Sequence, residues 1–452
     1  MKKINKLLIY CIVFISSIKG YAQEDIVSIS DVDFIHYHAE LEPNFKEKSL
    51  QGIVKIKFVP RTQKLRNLTF SAKYKQIKSV YIDEKVAQYS LLNGQLTINF
   101  QQKLETNRNY SLKIEYSATP KRGMKFYNDH IFTVYHTKNW LVSHNNISDK
   151  STFDLVLTHD ANMTTVGNGR LVSRKVLEND KVTSHWQQDT PMPLYTFGFV
   201  IGELKTLTIK TNSTDIVVLY REEQNSGLTP KLIKEAFADV ADMLSFYESK
   251  AGFSLNENSY NYVVVDGYMA QEASGFSLVG EKFVHTVLED KNENWFIAHE
   301  LAHEWWGNSV TCANFSHFWL NEGLVQFLVA VYKQRLFGEQ AYKNEINVAV
   351  RRVHRAVKDN RVAPVAFHNE IKEQEINRTM AYSKGALVFY MLREKLGDAL
   401  FWKALKQYTQ TYRNKSVTTQ NLKFIFEQIS DTDLTHFFEK WVYGQEIPSV
   451  NL

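Results

Sequence analysis

The order of apolar and polar positions divides the chain in two. From about residue 30 to 203 the period is two. "GIVKIKFV" (Gly52–Val59), "SLKIEYSA" (Ser111–Ala118), "TFDLVLTH" (Thr152–His159) and "TFGFVIGEL" (Thr196–Leu204) are rich in β-branched and aromatic residues at alternating positions. That pattern predicts strands, because successive strand side chains point to opposite faces of a sheet. "LLNGQLTINF" (Leu91–Phe100) sets Asn93-Gly94 between β-formers, and both residues accept the positive φ of a two-residue hairpin turn. Residues 23–203 therefore read as an all-β domain of packed sheets. After residue 204 the period becomes helical. "TPKLIKEAFADVADMLSFYESKAGF" (Thr229–Phe253) has a Thr N-cap, Pro next, and Gly252 near its stop. "YNYVVVD" (Tyr260–Asp266) is one more strand, and beyond about residue 292 almost everything reads helical. Residues 204–452 thus form an α+β domain that becomes mostly α. No internal repeat interrupts either half.

Composition supports two real cores. The chain has 452 residues, 44% hydrophobic and 13% aromatic, which argues against disorder. Its first 22 residues stand apart. Lys2, Lys3 and Lys6 precede an apolar run from Leu7 to Ile15, and Gly20-Tyr21-Ala22 follows. A basic start, a short apolar stretch and a small-x-Ala exit describe a cleavable secretory signal, too short to span a bilayer. No later segment reaches spanning length. The expectation is an exported protein, periplasmic or secreted. Residues 1–22 hold four lysines and no acids, so without them the net charge falls from +5 to +1. Charge then gives no reason to expect a nucleic-acid partner. Of the two cysteines Cys11 lies in the signal, which leaves Cys312 alone and no intrachain disulfide.

The chemistry lies in "NWFIAHELAHEWWGN" (Asn294–Asn308). On a helix His299 and His303 are i and i+4, so both imidazoles project from one face and can share one zinc ion. Glu300 lies roughly 100° around the helix, outside the ligand pair but able to reach a water on the metal. This is the H-E-x-x-H arrangement of two ligands and a general base. Zinc would bring the water's pKa toward about 7, and Glu300 would take its proton during attack on a carbonyl. Phe296, Ile297, Leu301, Ala302, Trp305 and Trp306 surround the motif. Burying two histidines and a glutamate there is costly without a strong partner such as a metal. A catalytic zinc wants a third protein ligand. Glu322 in "HFWLNEGLVQFLVAVYKQRLFG" (His317–Gly338) is the first candidate, with eighteen residues between it and His303; His317 is the runner-up. Gly307-Asn308 supplies the stop between the two helices.

"HELAHEWWGN" followed by "WLNEG" resembles the gluzincin metallopeptidases of the M1 aminopeptidase family. The resemblance extends over nearly the whole chain after residue 22. "FIHYHAELEPN" (Phe34–Asn44) resembles the family's first strand, so His36 and His38 read as strand residues rather than ligands. "DKSTFDLVLTHD" (Asp149–Asp160), "MPLYTFGFVIGEL" (Met192–Leu204) and "FFEKWVYGQEIPSV" (Phe437–Val450) match later stretches. The resemblance implies a saddle-like β domain joined to a thermolysin-like zinc domain, with one Zn2+ per chain held by His299, His303 and Glu322. It also implies a role for Tyr382 in "MAYSKGALVFYMLREKLG" (Met380–Gly397), whose phenol would hydrogen-bond the developing oxyanion. Peptides are the implied substrates, cut from the amino terminus; the oligomeric state is left open.

Two departures from the family pattern stand out. The family binds the substrate's α-amine with the glutamate of G-x-M-E-N. Here the text is "DGYMAQEASGFSL" (Asp266–Leu278). Alignment on Gly267 and Met269 puts Ala270 at that place; alignment on Gly275 puts Glu272 there. Glu272 is preferred, because a carboxylate is what an ammonium ion needs. "HIFTVYHTKN" (His130–Asn139) offers no clear equivalent of a second amine-binding acid or amide. An endopeptidase that needs no free amine, or an inactive peptide-binding scaffold, are the competing readings. Many family members also carry a large helical domain after the catalytic one. This chain stops at Leu452, so a more open cleft is expected.

Overall fold

The computed structural model describes residues 31–63, 65–221, 226–255, 259–448 and 450. The signal expected over residues 1–22 lies outside them. Alternation in the first half produces sheets as expected. Eight strands run in the order Arg170–Val176, Lys181–Pro193, Lys150–Asp160, Val32–Asn44, Ser49–Pro60, Tyr110–Ala118, Lys75–Ile82 and Lys85–Val86. Val32–Asn44 and Lys150–Asp160 pair in parallel; the other neighbours are antiparallel. The inward positions Tyr37, Val54, Ile56, Leu112, Ile114 and Leu155 are buried in one apolar core. Asn93 and Gly94 take φ of 50° and 73° and turn the hairpin between Gln88–Leu92 and Gln95–Asn99. Of "TFGFVIGEL", only Phe199–Gly202 is a strand, since Leu194–Thr196 closes a short 3-10 turn ahead of it.

The second half begins with strands rather than with the helical period expected after residue 204. A five-stranded sheet runs in the order Lys205–Ile209, Asp215–Tyr220, Ser259–Val265, Phe276–Gly280 and Ala270–Ala273. Its centre is parallel and both edges are antiparallel. The helix expected over Thr229–Phe253 is two helices, Pro230–Ala236 and Val240–Ala251. Thr229 accepts from the Leu232 N–H as its cap, and Gly252 ends the pair at φ 82°. The break at Phe237–Asp239 buries the Phe237 ring and frees the Asp239 carbonyl, which accepts the Tyr332 hydroxyl.

One face of this sheet carries the helical core. The other face packs Leu219, Val263, Val265 and Leu278 against Phe132, Val166 and Val200 of the β domain. Polar contacts close the same seam. Lys150 Nζ donates to the Asn308 and Ser309 carbonyls, and Tyr195 Oη donates to Gly307 O at 3.2 Å. Burial pulls the Lys150 ammonium down to about 7. The loop that ends the His299 helix is therefore seated on the β domain. Among the described residues no helix is long and apolar enough to cross a membrane.

Candidate active site

Two helices and one strand edge build the site. Trp295–Ala302 is a short buried helix, and His303 continues its αR backbone. The i, i+4 spacing brings His299 Nε2 and His303 Nε2 to 3.1 Å of each other. Glu322 sits in the first turn of the helix Trp319–Phe337. Its Oε2 lies 3.4 Å from each of those nitrogens. Three donors around one tetrahedral zinc stand about 3.3 Å apart when each bond is 2.0–2.1 Å. The three observed spacings match that triangle. His303 Nδ1 faces the Trp306 carbonyl at 3.0 Å, which fixes the tautomer that leaves Nε2 free for a metal.

Electrostatics point the same way. Glu272, Glu300 and Glu322 are all buried around the two imidazoles. Burial pushes the Glu300 carboxyl well above the usual carboxylate range and Glu272 up to about 7. Burial also works against charge on Glu322, but His303 and His299 overcome it and hold Glu322 ionised. Burial would lower His303 too; Glu322 and Glu272 instead raise it to about 10. Glu300 Oε2 and Glu322 Oε2 are enclosed without a hydrogen-bond partner. Buried imidazoles and carboxyls gathered this closely, with unpartnered oxygens among them, suit a divalent cation, and His299, His303 and Glu322 fit one.

Close backbone packing places the next residue. Gly323, beside Glu322, lies against Gly385, and a Cβ on Gly323 would stand 2.8 Å from the Gly385 Cα and the Ala381 O. Only two glycines let the helix Gly385–Leu396 and its leading π-helical turn Met380–Lys384 approach this closely. Tyr382 lies on that turn, a geometry common at functional sites. Its ring stacks on His299 with centroids 6.1 Å apart. Burial raises the Tyr382 phenol far above its ordinary value, so the hydroxyl stays a neutral donor.

The strand side settles which residue of "GYMAQEASG" faces the site. Ala270–Ala273 is the edge strand, antiparallel to Phe276–Gly280, with Glu272 opposite Ser277. Glu272 turns inward, and its carboxylate comes within 4.8 Å of ligand atoms of Glu300 and His303. Met269 packs with the seam cluster, and Ala270 joins the helical core. Neither has a polar group to offer. His317, the runner-up ligand, is engaged elsewhere: its Nδ1 lies 3.0 Å from Thr419 Oγ1. The structure thus gathers His299, Glu300, His303, Glu322, Tyr382 and Glu272, and leaves Met269, Ala270 and His317 outside. A cleft lined in part by Glu272, Glu322, Tyr135 and Arg378 opens beside them.

The family-model comparison is decisive for kinship. The Peptidase family M1 domain matches residues 235–441, and the Peptidase M1 N-terminal domain matches residues 34–145. The chain belongs to the M1 peptidase family. Aminopeptidase N of Escherichia coli (strain K12) is 26% identical to this M1 chain over 301 residues, 64% of the chain and 34% of that protein. Leucine aminopeptidase 2 of Eremothecium gossypii is 26% identical over 258 residues, 54% of the chain and 39% of that protein. The chain therefore spans roughly a third of the length of these relatives. An M1 zinc metallopeptidase from Deinococcus radiodurans superposes with a TM-score of 0.78 at 20% identity, over 93% of this chain and 95% of that one. A mutant of that metallopeptidase is described bound to a Tyr-Ser-Ala substrate, with a TM-score of 0.79. These likenesses establish the fold, a β-rich domain followed by a helical catalytic domain.

Three cleft residues carry no sequence signal. Tyr135 and His136 both sit in the left-handed region, φ 41° and 48°, at the β-domain lip of the cleft. The Tyr135 N–H donates to Gln271 Oε1, on the face of the edge strand opposite Glu272. Arg378 lies at the mouth beside Phe318, Tyr382 and Glu322. Sidedness along "VYHTKN" cannot be read from alternation, because the strand ends at Thr133.

Proposed function

We propose that this chain is a zinc aminopeptidase with one catalytic zinc ion per chain. The observation that carries the reading is Glu272, a buried carboxylate on the strand edge facing the His299–His303–Glu322 triangle and Glu300. His299, His303 and Glu322 would hold the ion, which supplies Lewis acidity: it polarises a carbonyl and eases the deprotonation of water. Glu300 is the base. Its carboxyl, raised by burial, takes up the proton and can return it to the departing amine. Tyr382 donates its hydroxyl toward the oxygen on which charge develops. Glu272 receives the α-ammonium of the substrate through a charge-assisted hydrogen bond, so the first peptide bond is the one presented. The names of the relatives and the peptide bound in the Deinococcus enzyme support this choice.

A panel of fluorogenic aminoacyl substrates tests it. Turnover should appear with free-amine substrates, vanish with a chelator and return on adding Zn2+. An inert protein across the panel, at full zinc occupancy, would contradict it. We also propose that the protein acts outside the cytoplasm after losing residues 1–22, on the strength of the basic start, apolar run and Ala22 exit. Amino-terminal sequencing of the mature protein should begin at Gln23; a retained Met1 would overturn that.

A further inference from the structure

One short turn of the β domain touches every wall of the site. It is the 3-10 turn Leu194–Thr196, whose Tyr195 lines the cleft with Glu272 and Glu322. The Tyr195 hydroxyl donates to Gly307 O and accepts from Asn321 Nδ2, each at 3.2 Å. Gly307 comes four residues after His303, and Asn321 immediately precedes Glu322. A single phenol of one domain thus bridges the two helices that carry the candidate ligands in the other. The next residue reaches the third wall. Thr196 O accepts the Ser274 N–H at 3.2 Å, one residue past the strand that carries Glu272. Asn168 Nδ2 ties the same two carbonyls together, donating to Thr196 O at 2.9 Å and to Ser274 O at 2.8 Å.

Both limbs of the Tyr195 bridge end on the ligands' own supports. A Cβ on Gly307 would stand 2.7 Å from His303 Nδ1, so the Gly307 backbone lies against that imidazole. The carbonyl just before it, Trp306 O, is the one that His303 Nδ1 faces at 3.0 Å. A shift of the Gly307 peptide would therefore disturb the acceptor that orients the ring. Asn321 is fixed at both ends of its amide. Its Oδ1 accepts the Cys312 N–H at 2.9 Å, and among the described residues Tyr195 is the one acceptor for its Nδ2. Without the phenol oxygen, that buried donor would be left unpaired and would pull the start of the Glu322 helix out of place. Gly307 O keeps a second donor, Thr311 Oγ1 at 2.7 Å, so the Asn321 limb is the more sensitive one. Burial raises the Tyr195 phenol far above its ordinary value, which keeps the proton that the Gly307 bond requires.

We propose that Tyr195 is a positioning residue for the metal centre: a β-domain side chain that supplies no ligand sets the spacing between the His303 and Glu322 supports, and so how tightly the ion is held. The inference rests on the zinc reading above. Outer partners that orient metal ligands are worth about 10- to 100-fold in affinity. Tyr195 acts one bond further out, through Gly307 and Asn321, so the low end applies. Docking of the β domain thereby becomes a condition for a tight metal site as well as a wall of the cleft.

The experiment uses the full chain as wild type, Tyr195→Phe, Asn321→Ala and the double variant. Zn2+ affinity is measured by competition with a chromogenic chelator. Tyr195→Phe keeps the ring and should bind Zn2+ about 10-fold more weakly. The double variant should lose less than the product of the two single losses, because both remove one contact. Hydrogen exchange of the zinc-free chains gives a second readout. In Tyr195→Phe the amides of residues 311–312 and 319–322 should exchange faster, while those of the eight-stranded sheet keep their rates. Unchanged Zn2+ affinity in Tyr195→Phe overturns the proposal, and so does exchange that is unchanged or faster throughout the chain. A wild type that takes up no Zn2+ would instead sink the zinc reading, and the exchange comparison would still show whether Tyr195 holds the two supports.

Discussion

The two walls of the cleft are built by different rules. The helix wall carries His299, Glu300, His303, Glu322 and Tyr382 on backbone whose geometry is local. Residues four apart share a face whatever the rest of the chain does, and two glycines set how near the Glu322 and Tyr382 elements come. The strand wall carries Glu272, and nothing local fixes which way it points. A shift of one residue in the pairing of Ala270–Ala273 with Phe276–Gly280 would turn Glu272 away and bring Gln271 in. In the proposed reaction one wall would hold the metal and the base, and the other would select the end of the peptide that is admitted. On that reading, chemistry and specificity would answer to different parts of the fold.

Mutations should separate the walls. On the helix wall, Glu300→Gln should cost about 10³-fold in kcat, as loss of a general base does, with bound zinc unchanged. Retained turnover there would remove Glu300 from the mechanism. Tyr382→Phe deletes one hydroxyl and should cost about 10²-fold or more in kcat with little change in KM; a loss confined to KM would move Tyr382 to substrate binding. On the strand wall, Glu272→Gln removes the charge but keeps the shape. It should lower kcat/KM for free-amine peptides by about 10- to 100-fold, the worth of a hydrogen bond to a charged group. Blocked peptides should be untouched, and an equal loss on both would make Glu272 part of the general machinery.

The smallest effect concerns the seam that holds the walls together. The Lys150 ammonium is pulled from 10.5 to about 7 by burial. The unfolded chain then binds the extra proton between those values, so this group's contribution to stability improves as pH rises through that window. A Lys150→Met variant lacks the term. Its Tm relative to wild type should be highest near pH 7 and fall toward pH 10, as followed by thermal denaturation across pH. A difference independent of pH would show that Lys150 is seated as an ordinary charged lysine.

This contrast also marks what could be read in the sequence. Alternation located Gly52–Val59, Ser111–Ala118 and Thr152–His159 within observed strands, because each has one buried face. Asn93-Gly94 gave its turn, because few other residues accept φ of 50° and 73° in succession. The H-E-x-x-H spacing needed only the helical period. The five-stranded sheet was legible in one strand alone, Ser259–Val265. Its antiparallel edges are four and five residues long and owe their place to partners far along the chain. Glu272 and Ala270 stayed in competition for the same reason: both are even-numbered positions on one short strand, and only the register and the neighbouring helices distinguish them. Tyr135, on a loop with left-handed backbone, obeys no period at all. His36 and His38 read correctly as strand residues, yet what they face depends on Asp154 and His185.

The central claim is that the strand wall makes this hydrolase read a free amine. The most direct measurement is kcat/KM of the wild-type, zinc-loaded chain on one peptide with its amine free and then acetylated. The free form should be cut at least about 10-fold faster, through the charged contact with Glu272. Equal rates on both would contradict the account and leave a zinc hydrolase indifferent to the amino terminus.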